Sequence, residues 1–224
     1  MRVVVRWIVV AIVVTHGFTH LVGAADGLGW TGMGIAWLAT AMLVVGTGLL
    51  LALSVRWWWM VGAVAVVASQ AVILTAWGDA NAGTIANVVL LLAVGYGYAS
   101  QGPTSYRAEF RHRSQSALAE PIDGTVVTEG DLSALPDPVA AYVRQSGAVG
   151  EPRVSNFRAR ISGRIRSGPT KPWMPFHGEQ VNTCGADPVR LFFIDASMLG
   201  VPIDVLHVFV GAAATMRVKA ASLV

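Results

Sequence analysis

The sequence predicts a four-helix transmembrane bundle followed by a β-rich antiparallel soluble domain that contains one short helix. Three observations predict this fold class. The first hundred of the 224 residues form long apolar runs. They hold only five formal charges, whereas the whole chain has 16 basic and 13 acidic residues. Later segments alternate between apolar and polar residues, as strands do. We therefore expect a transmembrane domain (1–100), a juxtamembrane linker (101–136) and a cytoplasmic β-rich domain (137–224).

The apolar runs are 15 to 22 residues long and predict four membrane-spanning helices. A helix rises about 1.5 Å per residue, so roughly 20 residues cross a hydrocarbon core that is ~30 Å thick. A charge at the centre of such a helix costs about 2.5–3.5 kcal/mol on insertion scales, which explains why the early charges fall at or near the ends of the runs. The runs are Val3–Val22, Gly34–Val55, Trp57–Trp77 and Ile85–Ala99.

Basic residues fall on alternate connections, all on one side of the predicted membrane. Arg56 lies between the second and third runs, whereas the other two loops carry Asp26 and Asp79 without a basic residue. The positive-inside rule then places both termini in the cytoplasm. The single cysteine, Cys184, excludes an intramolecular disulfide and fits a reducing compartment. The other basic residues on this side are Arg2, Arg6, Arg107, Arg111 and Arg113.

The predicted helices contain two histidines and two amides, namely His16, His20, Gln70 and Asn87. His16 and His20 are four residues apart, so they share one helical face. Polar groups in lipid need partners, so one interpretation is that the histidines hydrogen-bond across the bundle. Metal binding or proton transfer is the alternative, because neutral imidazole is a good ligand. A bis-histidine haem is not expected, since the four runs contain no further histidine.

The connection after the fourth run has a mixed character. Tyr106, Phe110 and Ala117 fall on one helical face, with three arginines beside them. This pattern is typical of a short amphipathic segment on anionic lipid, and an ordinary solvated linker is the alternative. Residues 120–135 mix proline, glycine, threonine and acids, which predicts an irregular linker.

The remaining residues predict one helix and five strands. Asp137 is expected to cap a helix of about ten residues, with Pro138 in its first turn and Gly147 in the left-handed position after its end. Period-two alternation over residues 157–166 predicts a strand with one buried apolar face. Further strands are expected at 177–184, 189–196, 203–210 and 214–221, and the short loops between them imply antiparallel meander pairing.

The polar face of the first predicted strand carries a row of arginines, namely Arg158, Arg160, Arg164 and Arg166. Near the inner leaflet such a row could hold lipid headgroups or another anion. The alternative is that acids such as Glu179 and Asp195 pair with the arginines across strands. Nucleic acid is not expected as a partner, because the net charge is only +3 and no recognition motif occurs.

The sequence assigns no catalytic residue, no metal and no cofactor. His177 and Glu179 lie two residues apart and could act as a general acid–base pair. The alternative, which is more common, is an exposed pair with no catalytic function. The chain shows no nucleophile with a positioned base, no phosphate loop, no dinucleotide glycine motif and no zinc-ligand spacing. These observations favour a protein that is not an enzyme and leave the question open.

Two stretches resemble an uncharacterised bacterial family of membrane proteins that carry a domain of unknown function after their helices. One stretch runs from Ser69-Gln-Ala-Val to Asn87. The other combines Leu135-Pro-Asp-Pro-Val, Ser146-Gly-Ala-Val-Gly-Glu-Pro-Arg, Lys171-Pro-Trp-Met-Pro-Phe and Glu179-Gln. The resemblance implies a bacterial plasma-membrane protein, but no known activity and no residue roles. It also implies a β domain that extends past Leu223, so we expect the domain to be truncated here or completed by a partner.

Three functions fit this sequence. In the first, the cytoplasmic β domain binds a lipid or lipophilic ligand on its apolar face. In the second, the protein is a non-catalytic accessory or structural subunit whose exposed sheet edge binds a partner protein. In the third, it handles a metal ion or protons through His16 and His20, with Asp26 and Asp79. The expected partners are membrane lipids, with a partner protein or a second copy of the chain as the further alternatives.

Overall fold

The computed structural model describes residues 3–26, 32–119, 124–166, 168–185 and 187–223. Within these residues, four long apolar helices precede a five-stranded antiparallel sheet, which confirms the predicted fold class. Arg2 and the side chain of Asp26 lie outside the described part. The helices are α1 (Val3–Asp26), α2 (Gly32–Ala52), α3 (Trp58–Thr75), α4 (Trp77–Ala80), α5 (Gly83–Gln101), α6 (Tyr106–Leu118), α7 (Glu129–Leu132) and α8 (Asp137–Gln145). The strands are β1 (Asn156–Ile165), β2 (Met174–Thr183), β3 (Val189–Met198), β4 (Val201–Val210) and β5 (Ala213–Ala220).

Helices α1, α2, α3 and α5 are long and apolar enough to cross a membrane, which indicates a membrane protein. Helix α1 contacts α2 and α5, α2 contacts α3, and α3 contacts α5, so the four helices close into a ring. Val13, Val44, Ala65 and Leu90 fill its centre and are at most 1% exposed. Apolar side chains also cover the outside, where Leu92 is 70% exposed. Helices that are apolar on all sides suit a lipid environment.

Glycine allows the helices to approach closely at particular points. A Cβ atom added at Gly48 would lie 2.6 Å from the Val14 side chain, and one added at Gly62 would lie 2.7 Å from Val94. Both distances are shorter than any ordinary carbon contact, so a larger residue would push the helices apart. Gly95, by contrast, has open space beside it. Small residues at the interface are the usual means of close packing between membrane helices.

The start of α1 and the turn between α2 and α3 lie at the same end of the bundle. The Arg6 guanidinium donates a hydrogen bond to the Ser54 hydroxyl in that turn. Arg56 follows two residues later in the same turn. The described basic residues of α1 and this turn therefore share one end, as the sequence predicted. Which side of a membrane this end faces stays a prediction.

Helix α6 does not present its apolar face to lipid. Phe110 is 1% exposed and Ala117 is 8% exposed. The Phe110 ring lies 6.0 Å, centroid to centroid, from the Phe193 ring of β3. The interpretation of this face as a lipid-binding surface is therefore wrong, because protein already covers it.

Residues 124–136 contain more regular structure than the irregular linker that the sequence predicted. Val126 forms an isolated antiparallel bridge with Pro152, and helix α7 follows. The Asp131 carboxylate accepts hydrogen bonds from the Thr128 backbone N–H and hydroxyl, each at 2.8 Å, and pairs with Arg153 at 2.5 Å. These bonds, the backbone bond first, hold the pKa of Asp131 below its usual range.

Helix α8 confirms the predicted helix but corrects its cap. Pro136 occupies the N-cap position, with φ −55° and ψ 141°, and its side chain makes no capping bond. Asp137 is thus the first helical residue, where a carboxylate still favours the positive end of the helix dipole. Gly147 has φ +76°, which is the left-handed conformation that the sequence predicted after the helix end.

The strands follow one another in the order β1-β2-β3-β4-β5, which is the predicted meander. One face of β2, β3 and β4 forms a core with Val181, Leu191, Phe193 and Leu206, each at most 3% exposed. Strand β1 lies at an edge of the sheet. The prediction that one of its faces is buried is wrong. Its apolar residues Phe157, Ile161 and Ile165 are 44%, 39% and 48% exposed.

Contacts between Cα atoms divide the chain into two compact units. One unit comprises Met1–Glu109, Ala196–Asp204 and Val218–Val224, and the other comprises Phe110–Asp195 and Val205–Arg217. The domain boundaries that the sequence suggested, at residues 100 and 136, stay a prediction.

Candidate functional site

Two histidines, a serine and an asparagine from three helices meet inside the four-helix bundle. The Nε2 atom of His16 lies 3.1 Å from Ser69 Oγ and 3.0 Å from Asn87 Oδ1. The Nε2 atom of His20 lies 2.9 Å from the same Ser69 oxygen. All four side chains are buried, from 0% exposed for Ser69 to 6% for His16. The two histidines therefore make hydrogen bonds across the bundle, which is the first of the two interpretations that the sequence left open.

Two more side chains continue this polar network along α3 and α5. Asn87 Nδ2 donates to Gln70 Oε1 at 3.0 Å, and Gln70 Nε2 donates to Thr84 Oγ1 at 3.2 Å. The bond to Gln70 fixes the orientation of the Asn87 amide, so its oxygen faces Ser69 and His16. The sequence-predicted residues His16, His20, Gln70 and Asn87 thus belong to one connected set.

Counting protons within the network assigns the free nitrogen of His20. The single hydroxyl proton of Ser69 is donated to Asn87 Oδ1, at 2.8 Å. The Ser69 oxygen then accepts from the Nε2–H of His20, and Nδ1 of a neutral ring is left as an acceptor. This Nδ1 atom is buried and has no hydrogen-bond partner among the described residues. Such a group is costly in a folded protein unless something supplies a proton donor.

A cleft of about 960 Å³ lies beside the histidines, within the four-helix part of the chain. Its walls come from the second half of α1, the start of α2, the end of α3, and α4 with the start of α5. Most of the lining is apolar. The polar contributions come from the two imidazoles, two threonines of α1 and Asp79. The ring of Trp37, another wall residue, lies 5.1 Å from the His20 ring. The cleft is therefore an apolar cavity with a small polar patch.

Sequence reasoning missed Ser69, which is the residue that both histidines contact. It selected the neighbouring Gln70, which lies one bond further along the network. Consecutive residues on a helix point about 100° apart. The only available signal was a hydroxyl beside an amide in an apolar run, and that signal does not say which of the two faces the histidines.

The arginine row is exposed and only partly paired. Arg158 forms an ion pair with Glu179, whose carboxylate also lies 3.9 Å from Arg160 Nε. The Arg166 guanidinium donates to the Pro169 carbonyl at 2.6 Å and lies 4.5 Å from the centre of the Trp173 ring. The predicted cross-strand pairing thus occurs with Glu179 at one end of the row. Anion binding by Arg158, Arg160, Arg164 and Arg166 stays a prediction.

The part of the chain that the structure describes brings together neither a metal site nor an acid–base pair. Among the described residues, no group of three or more histidine, cysteine, aspartate or glutamate side chains is placed to hold a metal ion. In the register of β1 and β2, His177 is opposite Ser162 and Glu179 is opposite Arg160. Because the Glu179 carboxylate contacts Arg158, it is committed to an ion pair rather than to His177.

Comparison with known proteins gives one match. Residues 125–224 match a family of unknown function, DUF6544. The match covers less than half of the chain and none of the four long helices. It includes the second of the two stretches that carry the resemblance, whereas the Ser69–Asn87 stretch lies outside it. No curated protein and no solved structure matches the chain.

Proposed function

We propose that this is a bacterial plasma-membrane protein, with both termini in the cytoplasm, that binds a small lipophilic molecule in the cleft of its four-helix bundle. The ligand carries one hydrogen-bond donor, such as a hydroxyl group, which it gives to His20. The single observation that supports this function is the side chain of His20, which lines an apolar cleft and whose buried Nδ1 atom has no hydrogen-bond partner among the described residues.

The size and lining of the cleft fit this class of ligand. Small-molecule sites have volumes of about 300–1,000 Å³, mostly apolar walls and a few placed polar groups. The cleft has a volume of about 960 Å³, and the two imidazoles are among its few polar wall groups. The lipophilic ligand that the sequence suggested for the β domain is thus better accommodated in the bundle.

The metal alternative has less support than the ligand alternative. His16 and His20 both direct Nε2 to Ser69, so a metal ion would have to break these bonds. The described part of the chain also supplies no third strong ligand beside them. Proton transfer along the network would need no metal, and the hydrogen bonds described above for the network end at the Thr84 hydroxyl.

Photolabelling of the purified protein in lipid nanodiscs tests the proposal. The probes are a medium-chain alcohol that carries a diazirine and its methyl ether, which lacks the donor. We expect the alcohol to label the cleft-facing parts of α1 and α5 about three- to tenfold more than the ether does, because one hydrogen bond to a buried acceptor distinguishes them. His20→Phe keeps an aromatic side chain but removes both ring nitrogens, the Nδ1 acceptor and the Nε2 that contacts Ser69. It should therefore abolish the difference while labelling by the ether persists.

A matched pair of substitutions on α5 controls for general partition into lipid. Ala86 lines the cleft, whereas Val88 is 49% exposed and is not a wall residue. Ala86→Phe should block labelling of the cleft, and Val88→Phe should leave it unchanged. Equal labelling in these two variants, or labelling spread evenly over the lipid-facing residues, would contradict a specific site.

A further inference from the structure

The free edge of the sheet has features of a docking site for another strand. Strand β1 is ten residues long and lies at one end of the strand order, so β2 pairs with only one of its two edges. Residues 160–165 are all exposed. A long exposed edge presents unpaired backbone N–H and C=O groups to which another extended chain can hydrogen-bond. The side chains of β1 then decide which chain can pair.

The two faces of β1 differ sharply in character. Phe157, Ile161 and Ile165 are exposed on one face. The arginines lie on the other, where Arg160 has 85% of its side-chain surface exposed. Among the described residues, Glu179 is the acid that contacts this row, and it lies nearest Arg158. Arg164 and Arg166 instead lie near the Trp173 ring, at 5.9 Å and 4.5 Å.

We propose that β1 accepts an acidic, extended segment of a partner protein as a sixth strand. Successive side chains of a strand point to opposite faces. A partner with acids at alternate positions would place them beside Arg160 and Arg164, because opposite charges on neighbouring strands attract. The residues between the acids would be apolar and would cover Ile161 and Ile165. The partner segment is therefore an alternation of acidic and apolar residues over about ten positions.

A second copy of this chain does not fit the same edge. Two β1 strands paired antiparallel about Ser162 would place Arg160 opposite Arg164 and Arg158 opposite Arg166. Like charges directly opposite on neighbouring strands are destabilising. In this register the arginine row disfavours self-pairing and favours a partner of opposite charge, and charged side chains are one way in which natural sheets protect their edges.

Hydrogen exchange of the full-length protein in neutral-lipid nanodiscs tests this proposal. The probe is a capped peptide in which glutamate and valine alternate over the length of β1, and the control peptide has the same composition in two blocks. We expect the alternating peptide to bind at least about tenfold more tightly and to slow amide exchange within residues 156–165, because only alternation matches both faces. Equal binding of the block peptide, or unchanged exchange in β1, would overturn the proposal.

Charge reversal at two arginines separates docking from general attraction. Arg164 belongs to the row, whereas Arg190 lies exposed on β3 and gives the same change in net charge. Arg164→Glu should weaken binding of the alternating peptide about tenfold, since the reversed charge replaces attraction with repulsion across the new pair. Arg190→Glu should weaken this binding less than about twofold. Equal effects of the two variants would contradict strand addition. Protection of β1 by anionic-lipid nanodiscs alone, or by raised protein concentration alone, would assign the edge to lipid or to a second copy instead.

Discussion

Replacing Ser69 by alanine is the most informative perturbation of the polar network. The substitution removes one oxygen that lies 3.1 Å from His16 Nε2, 2.9 Å from His20 Nε2 and 2.8 Å from Asn87 Oδ1. His16 keeps its bond to Asn87, at 3.0 Å. His20 keeps none among the described residues, because its Nδ1 atom already has no partner there. The variant therefore buries an imidazole with two unsatisfied nitrogens.

The expected loss of stability follows from these contacts. Hydrogen bonds between membrane helices contribute about 0.6 kcal/mol on average and at most about 1.7 kcal/mol. A buried polar group that loses its partner costs about 1–3 kcal/mol. Since the contacts share one oxygen and are not additive, we expect Ser69→Ala to lower the free energy of unfolding by about 2 kcal/mol, which is roughly a 30-fold change in the unfolding equilibrium.

The assay is equilibrium unfolding in mixed micelles with increasing denaturing detergent. Ser100→Ala is the matched control, because Ser100 Oγ donates only to the Gly97 carbonyl of its own helix, at 3.4 Å. Both variants gain the same helix propensity from alanine, so their difference isolates the network. Ser100→Ala should change stability by less than about 0.5 kcal/mol. If Ser69→Ala were no more destabilising than this control, the folded protein would not contain the network that we describe.

Three further predictions concern packing, orientation and pH. Gly62→Ala should destabilise the bundle by about 1–3 kcal/mol in the same unfolding assay, because its Cβ would lie 2.7 Å from Val94, whereas Gly95→Ala should be neutral or slightly stabilising. Cys184 is exposed and is the single cysteine of the chain. If both termini are cytoplasmic, a membrane-impermeant thiol reagent should label it only after cells are lysed. Labelling in intact cells would place the sheet outside the cell and refute the predicted orientation. The Asp131 carboxylate has a folded-state pKa below its unfolded value of about 3.9, so its stabilising contribution is present above that pH and is lost as the pH falls through the folded pKa. The protection of residues 125–133 against hydrogen exchange, relative to the intrinsic rate at each pH, should therefore fall below about pH 4 in the native protein. Asp131→Asn should show low protection with no such pH dependence.

The elements themselves were predictable because their signals are local. A run of about 20 apolar residues has few alternatives to a membrane-spanning helix, since every backbone group must be satisfied within the segment. Strand β1 was predicted within one residue of its start, because alternation marks its period directly. The N-cap of α8 was misplaced by one residue, because both Pro136 and Pro138 are compatible with a helix start and the extended backbone at Pro136 decides between them.

The candidate site was only partly predictable because it depends on how the helices rotate against one another. The i, i+4 spacing placed His16 and His20 on one face, and this holds in the folded chain. The face that meets them is set by packing around close contacts such as Gly62 with Val94. This packing brings Ser69 to the histidines and places Gln70 one bond further away.

The sequence by itself determined the membrane-embedded character of the first half, the number of long helices and strands, and the presence of a histidine pair. These features follow from hydropathy and period, which act within a few turns of one chain segment. Only the tertiary structure decided that Ser69 joins the histidines, that a cleft opens beside His20, and that β1 is an exposed edge with no buried face. Each of these depends on which distant segments come to lie side by side, and no single segment of the chain carries that information.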